Sequence, residues 1–289
     1  MTILDDENPS NAEQVRFWNE VSGPLWVELQ AEMDLHTAGF GDPALERASL
    51  QPGEKVLDVG CGCGGTTVAI AAMVAPLGEV LGIDVSSVML ARARERIDDA
   101  GHENADLLVA DAQVADLPRN YFDVAFSRFG VMFFADPPRA FSNIASSLRE
   151  GGRITFVCWQ APDKNPWMTI PMRAAFSALS NPLPAPVDAP GPFFLSDPAR
   201  TSMILESAGF EDVEITALER DSLLTDSDNL DRWAHYRILM GPCREQYESA
   251  TDEVRGRVRE AVVNSVSEFL TPEGVSMPGA AWIVEALRR

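Results

Sequence analysis

From residue 55 onward, short apolar runs alternate with stretches whose apolar residues recur every three or four positions. The runs at 55–60 (KVLDVG), 79–84 (EVLGID), 106–110 (DLLVA), 122–127 (FDVAFS) and 153–159 (RITFVCW) read as buried strands. Helices are predicted between them. One covers 66–75 and stops at Pro76 and Gly78; a second covers 87–100, with Ser86 or Ser87 as N-cap and Gly101 just past its end. A third is capped by Asp136, carries Pro137 and Pro138 in its first turn and ends at Gly151-Gly152. Strand–helix alternation of this kind predicts an α/β domain: a parallel sheet with helices on both faces.

Upstream, residues 11–35 have helical periodicity through Val15, Phe17, Trp18 and Val21, a break at Gly23-Pro24, then Leu25, Trp26, Leu29 and Met33. A second helix is expected at 37–51, ending at Gln51-Pro52-Gly53. Residues 1–52 thus form an N-terminal helical arm. Its two tryptophans either pack on the main domain or cover a ligand there, and the two roles are compatible. Downstream of Trp159 the pattern loosens: 160–198 holds nine prolines. A helix at 197–208, a strand at 211–218, a helical region at 226–270 and a final strand at 280–287 follow. The expected organisation is an arm (1–52), a cofactor-binding core (53–160) and a remainder (161–289). That remainder completes the sheet and carries a helical substrate cap at about 160–198 and 220–275.

Composition narrows the function classes. The chain has 289 residues, 46% hydrophobic and 23% charged, enough for a sizeable core. Its net charge of −21, with Lys55 and Lys164 the only lysines, argues against a nucleic-acid partner. Four cysteines are too few for a disulfide framework, and Cys61-x-Cys63 has no second ligand pair, so no metal is expected. The polar, acidic N-terminus does not read as a leader, and no apolar run approaches the ~20 residues of a membrane span. A cytoplasmic location is the expectation.

The chemistry concentrates where the first strand meets the first helix. Gly60, Gly62, Gly64 and Gly65 let the backbone turn sharply and approach a ligand, and the helix that follows aims its first N–H groups at whatever is bound. Gly60, Gly62 and Gly65 spell G-x-G-x-x-G, and Asp84 lies at the spacing of a ribose-binding carboxylate, which fits a nicotinamide dinucleotide. Asp58, two residues ahead of the first glycine, points elsewhere. It would repel a pyrophosphate but would pair with a ligand carrying an ammonium and a sulfonium. Asp111, after the third strand, suits the exocyclic amine of an adenine, and no tyrosine–lysine pair typical of redox sites is present.

Together, Asp58-Val-Gly60-Cys-Gly62-Cys-Gly64, Gly82-Ile-Asp84-Val-Ser86, Ala110-Asp111-Ala112, Phe122-Asp-Val-Ala-Phe-Ser127 and Leu148-Arg-Glu-Gly-Gly152 resemble the class I S-adenosylmethionine-dependent methyltransferases. The resemblance covers about residues 50–160 and is nearest to the small-molecule branch related to ubiquinone/menaquinone methyltransferases. A leading W-N-x-x-x-G-x-x-W segment, here Trp18-Asn19 and Gly23 through Trp26, fits the same group. The resemblance implies a Rossmann-like, seven-stranded, mostly parallel sheet whose last strand is antiparallel. It implies S-adenosyl-L-methionine as cofactor, leaving as S-adenosyl-L-homocysteine. Gly60, Gly62 and Gly64 would approach its amino-acid part, with Asp58 near the ammonium. Asp84 would take the ribose hydroxyls, and Val85 would flank the adenine. Asp111 would accept from the adenine amine and the Ala112 N–H would donate to a ring nitrogen. Ser127 would contact the methionine portion through its backbone, with Trp18 and Trp26 closing over the cofactor.

The expected activity is methyl transfer to an O-, C- or N-nucleophile of a small molecule by in-line displacement. An NAD(P)-dependent oxidoreductase using the same loop and a catalytically silent cofactor-binding module are the alternatives. The donor is already activated, so a base is needed only when the acceptor must lose a proton. His235 and, behind it, His36 are the base candidates. Arg128 could hold a substrate carboxylate or pair with a nearby acid; Trp159, Trp233 and Tyr236 could line the acceptor site or belong to the core. The assembly is expected to be a monomer or homodimer.

Overall fold

The computed structural model describes residues 11–180 and 189–289. The chain opens with α1 (Ala12–Arg16), a π-helical turn (Phe17–Val21), α2 (Ser22–Glu28) and α3 (Gln30–Arg47). The alternating region gives β1 (Lys55–Val59), α4 (Gly65–Val74), β2 (Glu79–Asp84), α5 (Ser87–Ala100), β3 (Ala105–Val109), β4 (Phe122–Arg128), α6 (Pro137–Ser147) and β5 (Leu148–Trp159). Then come α7 (Pro166–Ala178), α8 (Pro198–Ser207), β6 (Phe210–Thr225), α9 (Leu230–Leu239), α10 (Arg244–Ser249), α11 (Asp252–Ser265), β7 (Leu270–Thr271) and β8 (Gly274–Arg288).

The strands form one sheet in the order β3-β2-β1-β4-β5-β8-β6, with two-residue β7 paired only to β8. Strands β1 to β5 pair in parallel and β8 runs antiparallel to β5. This is the Rossmann-like, mostly parallel arrangement expected, with β7 as an added eighth strand. The order reverses between β1 and β4, and in open α/β sheets the crevice at the carboxyl ends of such strands is the ligand site. The described residues divide into two compact units. One comprises those of Met1–Gln160, Ala189–Leu218 and Ala281–Arg289; the other comprises those of Ala161–Asp188 and Glu219–Ala280. The first is built on fully buried Leu57, Ile70, Ile83, Ile97, Phe122, Phe126, Phe141, Phe156 and Phe210. The second is helical, around Phe176, Ala234, Ile238, Tyr247, Val258 and Val262.

Four elements differ from the sequence expectation, each for a physical reason. Gly23-Pro24 does not break the arm: both sit in the first turn of α2, where N–H groups have no helical partner and proline costs little. The break falls at Leu29, and α3 runs unbroken over 30–47 despite Pro43 because His36, Phe40 and Ala44 bury one face. Gly151-Gly152 do not end a helix. Helix α6 stops at Ser147, and the glycines lie within β5, where the pairing with β4 jumps from Phe122↔Leu148 to Val124↔Arg153. Glycine at φ +69 (Gly151) is what such a bulge requires. Within the proline-rich 160–198 stretch, α7 is a thirteen-residue helix that begins at Pro166 and contains Pro171. The part of that stretch at 181–188, like residues 1–10, lies outside the described residues. Strands β6 and β8 also extend beyond the 211–218 and 280–287 expected.

Backbone crossing at the head of the sheet fixes the loop. Gly60 (φ +68) follows β1, and a Cβ on it would lie 2.8 Å from Gly130 Cα; a Cβ on Gly130 would lie 2.9 Å from both Gly60 Cα and Val59 O. Gly60→Ala carries that collision plus a left-handed φ, whereas Gly130→Ala carries the collision alone. Urea unfolding should therefore show Gly130→Ala losing about 1–3 kcal/mol and Gly60→Ala about 1 kcal/mol more. Equal stability of both variants with the wild type would contradict the crossing.

Candidate functional site

Asp58 lies inside β1 with no exposed surface. Its Oδ2 accepts from Thr66 Oγ1 and Thr67 Oγ1, each at 2.7 Å. Both threonines stand at the start of α4, so the helix entrance satisfies one oxygen of the strand carboxylate. Its Oδ1, equally buried, has no hydrogen-bond partner. Burial pushes the Asp58 carboxyl up to about 6, against the lowering effects of the two threonines and of Arg128. A half-satisfied carboxylate behind a glycine loop fits a cation with donor hydrogens. It does not fit a pyrophosphate.

The loop above it is held open by backbone. A Cβ on Gly64 (φ +77) would fall 2.8 Å from Ala93 Cβ, and Gly62 (φ +54) holds a backbone conformation that residues with a side chain rarely adopt. Asp84, at the end of β2, accepts from Gly62 N and Ser86 N, both at 2.9 Å, and burial raises its pKa. The next carboxylate, Asp111, is buried beyond β3. It accepts from Asn11 Nδ2 (2.7 Å) and Gln113 N (3.0 Å), while Asn11 Oδ1 is a buried acceptor with no bond. Asp58, Asp84 and Asp111 thus follow one another at the carboxyl-end side of β1, β2 and β3, adjacent strands of the sheet. Ser127 is engaged through its side chain: Oγ donates to Val59 O at 2.7 Å and accepts from Gly130 N at 3.3 Å.

The arm is tied to this corner by polar contacts. Asn19 Nδ2 donates to Val85 O (2.9 Å), and Asn19 Oδ1 accepts from Ser87 N (3.0 Å) and Ser87 Oγ (2.9 Å). Ser86 Oγ donates to Trp18 O at 2.7 Å. A side chain at Gly23 would run into the Trp18 carbonyl, which accounts for glycine in the W-N-x-x-x-G spacing. The Trp18 ring meets Phe133 and Trp26 edge to face, with centroids 5.0 and 6.0 Å apart. Ala112 is buried and Val85 half-buried, and Ala112 O accepts from Asn143.

Arg128 is engaged by the chain itself: its Nη2 lies 2.8 Å from Asp34 Oδ1, and Arg96 takes Asp34 Oδ2 at 2.9 Å. Trp159 is buried in an aromatic group, stacked on Phe129 (4.0 Å, 14°) and edge-on to Phe40 (4.9 Å), with His36 at 6.3 Å. Phe129 has φ +60, a conformation non-glycine residues rarely adopt and one that stacking helps to hold. His235, Trp233 and Tyr236 belong to the helical unit. His235 Nδ1 lies 2.9 Å from Tyr247 Oη, and that oxygen accepts from Arg259 Nη1 at 3.0 Å. Trp233 packs on the helical core, and the Tyr236 ring lies under Arg232 at 5.1 Å. Cys61 and Cys63 are buried free thiols; burial raises Cys63 to about 12, which removes its nucleophilicity at neutral pH. Among the described residues no cluster of three or more His, Cys, Asp or Glu could hold a metal, and no helix is long and apolar enough to cross a membrane.

Asn11, Phe129 and Gly130 escaped the sequence reading, and Asn19 entered it only as part of the W-N-x-x-x-G-x-x-W segment. Thr66-Thr67, directly after the glycines, carried a legible signal: two hydroxyls at a helix start, facing a carboxylate one strand earlier.

Residues 56–152 match the family model described as "Methyltransferase domain". That stretch is about a third of the chain, and over it the chain is similar to methyltransferase domains. Over 132 residues the chain is 38% identical to aklanonic acid methyltransferase DauC of Streptomyces sp. (strain C5), covering 46% of this chain and 57% of that protein. Over 158 residues it is 37% identical to the demethylmenaquinone methyltransferase of Symbiobacterium thermophilum, covering 53% and 62%. The match therefore spans less than two thirds of each relative. The YcgJ protein of Bacillus subtilis shares the fold at 18% identity, with a TM-score of 0.57 over 88% of this chain and 99% of that one. The class I resemblance read from the glycine and aspartate motifs is borne out over the methyltransferase domain.

Asp58 gives a pH-dependent signature. Its folded-state carboxyl, at about 6, lies above the unfolded value near 4, so its ionisation costs stability as pH rises from about 4 to 6 and the full cost persists above. Asp58→Asn keeps an oxygen for both threonines and removes the charge. Urea unfolding should find it about 2–3 kcal/mol more stable than wild type at pH 7.5, with the gap closing by pH 4. A pH-independent difference would contradict the assignment.

Proposed function

We propose that this chain transfers the methyl group of S-adenosyl-L-methionine to a small-molecule acceptor by in-line displacement, leaving S-adenosyl-L-homocysteine. The observation that carries the reading is the unpartnered Asp58 Oδ1 behind Gly60, Gly62 and Gly64. That oxygen suits the cofactor's ammonium, which would restore the missing bond and the missing charge together. Asp84 offers its remaining lone pairs to the ribose hydroxyls. Asp111 and the open Asn11 Oδ1 suit the adenine amine, with the Ala112 N–H for a ring nitrogen and Val85 against the ring. Trp18 and Trp26, held through Asn19 and Ser86, exclude water from that end.

When bound, the sulfonium supplies an already activated methyl group. The chain's own residues therefore need to align the acceptor and keep water out. An acceptor that must lose a proton also needs a base, for which His235 is the candidate. The two relatives are named for small molecules, aklanonic acid and demethylmenaquinone, which supports a small-molecule acceptor without fixing it. A cytoplasmic enzyme without a nucleic-acid partner remains the fitting setting for a chain of net charge −21.

Titration calorimetry with S-adenosyl-L-homocysteine and with NADH tests the cofactor. The expected result is binding of the first and not the second. Asp84→Ala should weaken the first at least about tenfold, because two hydrogen bonds to a charged group are lost. NADH binding alone would overturn the proposal.

A further inference from the structure

Three arginines gather at one place in a chain whose net charge is −21. Arg92 and Arg96 on α5 and Arg128 at the end of β4 meet around Asp34 of α3. Arg128 Nη2 donates to Asp34 Oδ1 at 2.8 Å. Arg96 Nη2 lies 2.9 Å from Asp34 Oδ2, which also accepts from Gln30 Nε2 at 2.7 Å. Arg92 joins through Gln30 Oε1, 3.1 Å from its Nη2. All of these residues belong to the sheet unit. The group opens to solvent: the Arg128, Arg96 and Asp34 side chains are 17%, 22% and 27% exposed.

This group is seated on the glycine loop. A Cβ on Gly65, the first residue of α4, would lie 2.8 Å from Asp34 Oδ1 and 3.0 Å from Arg128 Nη2. Arg96 Nη1 donates to Cys63 O at 2.8 Å. Arg128 also acts by charge on buried Asp58, favouring its ionised form. Among the described residues the Arg128 guanidinium donates only to Asp34, so most of its fork is uncommitted. An α-amino acid carries its ammonium and its carboxylate on one carbon, so their partners must stand near each other at the same loop. Arg96 and Arg128 are set against Asp34 and Asp58, two charges of each sign. A ligand head carrying both charges preserves that balance, whereas an ammonium alone would leave the Arg128 fork unmatched.

We propose that Arg128 receives the carboxylate of the cofactor's amino-acid head while Asp34, from the arm, holds the guanidinium in place. This rests on the methyltransferase reading and deepens it: the carboxylate becomes a requirement, and the chain discriminates against a decarboxylated cofactor. A guanidinium takes a carboxylate through charge-assisted hydrogen bonds, and Arg128 thereby fixes the head without taking part in bond making. Asp34 is a positioning residue.

Titration calorimetry on the full chain compares S-adenosyl-L-homocysteine with its decarboxylated counterpart, which keeps the adenosine, the sulfur and the ammonium. The wild type should bind the first at least about tenfold more tightly. Arg128→Gln keeps a donor for Asp34 and removes the charge; it should bring the two ligands within about threefold of each other, by weakening the first. Its effect on Asp58 falls on both ammonium groups alike and cancels in the ratio. Asp34→Asn breaks the ion pair and leaves the Arg128 charge, so the preference should persist. A wild-type preference below about threefold, or one that survives Arg128→Gln, would overturn the proposal. So would a preference lost equally in Asp34→Asn with a lowered Tm, which would make the pair a structural pin between arm and sheet. Should Arg128→Gln fail to fold, the wild-type ratio and Asp34→Asn still decide. Binding of neither ligand to the wild type would instead fault the methyltransferase reading.

Discussion

The head of the sheet is organised around a carboxylate that the chain buries and only half satisfies. Asp58 has both oxygens out of water, yet Thr66 and Thr67 bond the same one. Strand β1, the glycine loop and α4 are all fixed by that arrangement: the strand supplies the acid and the first helical turn supplies two donors. Between them the Gly60–Gly130 crossing leaves no space for a side chain. Burying an acid in this way raises its pKa to about 6, a cost an apolar residue at the same place would avoid. The uncompensated oxygen is therefore the strongest single pointer to a cationic ligand.

The remaining parts of the site extend this constraint outward along the sheet. Asp84 is oriented by the loop it follows, through Gly62 N, and by the start of α5, through Ser86 N. The arm is latched by Asn19 to Val85 and Ser87, immediately after Asp84, and by Asn11 to Asp111. The same residues that complete backbone hydrogen bonding at the strand ends thus also hold the arm and its Trp18 in place. On the other side, Phe129 is kept in a left-handed conformation next to Gly130 and stacked on Trp159. Strain of that kind persists only where packing over-determines it, and such places tend to cluster at functional sites.

How much of this was legible in the chain depends on how local the determining contacts are. Strand β2 and helix α5 lie where the pattern put them, at 79–84 and 87–100, because Ser86 caps Met89 N and Gly101 supplies a positive φ within a few residues of each end. Asp58, Asp84 and Asp111 could be read as a set since each ends or precedes a turn in a repeating unit. Helix α7 was hidden because Pro166 and Pro171 imitate a loop, and the expected boundary between two arm helices near residue 36 is absent because burial of His36, Phe40 and Ala44 carries α3 through it. Asn11 and Asn19 act on partners 100 and 66 residues away, and nothing near them in sequence announces those bonds.

The central claim is that Asp58 awaits a cation, and proton linkage reads it directly. At pH 6 the carboxyl is about half protonated, and pairing it with an ammonium would drive that proton off. Calorimetric titration of S-adenosyl-L-homocysteine at pH 6, in two buffers of different ionisation enthalpy, measures the protons exchanged on binding. The account predicts release of up to about half a proton at pH 6, with that release gone by pH 8. Tight binding with no proton release at pH 6 would contradict it.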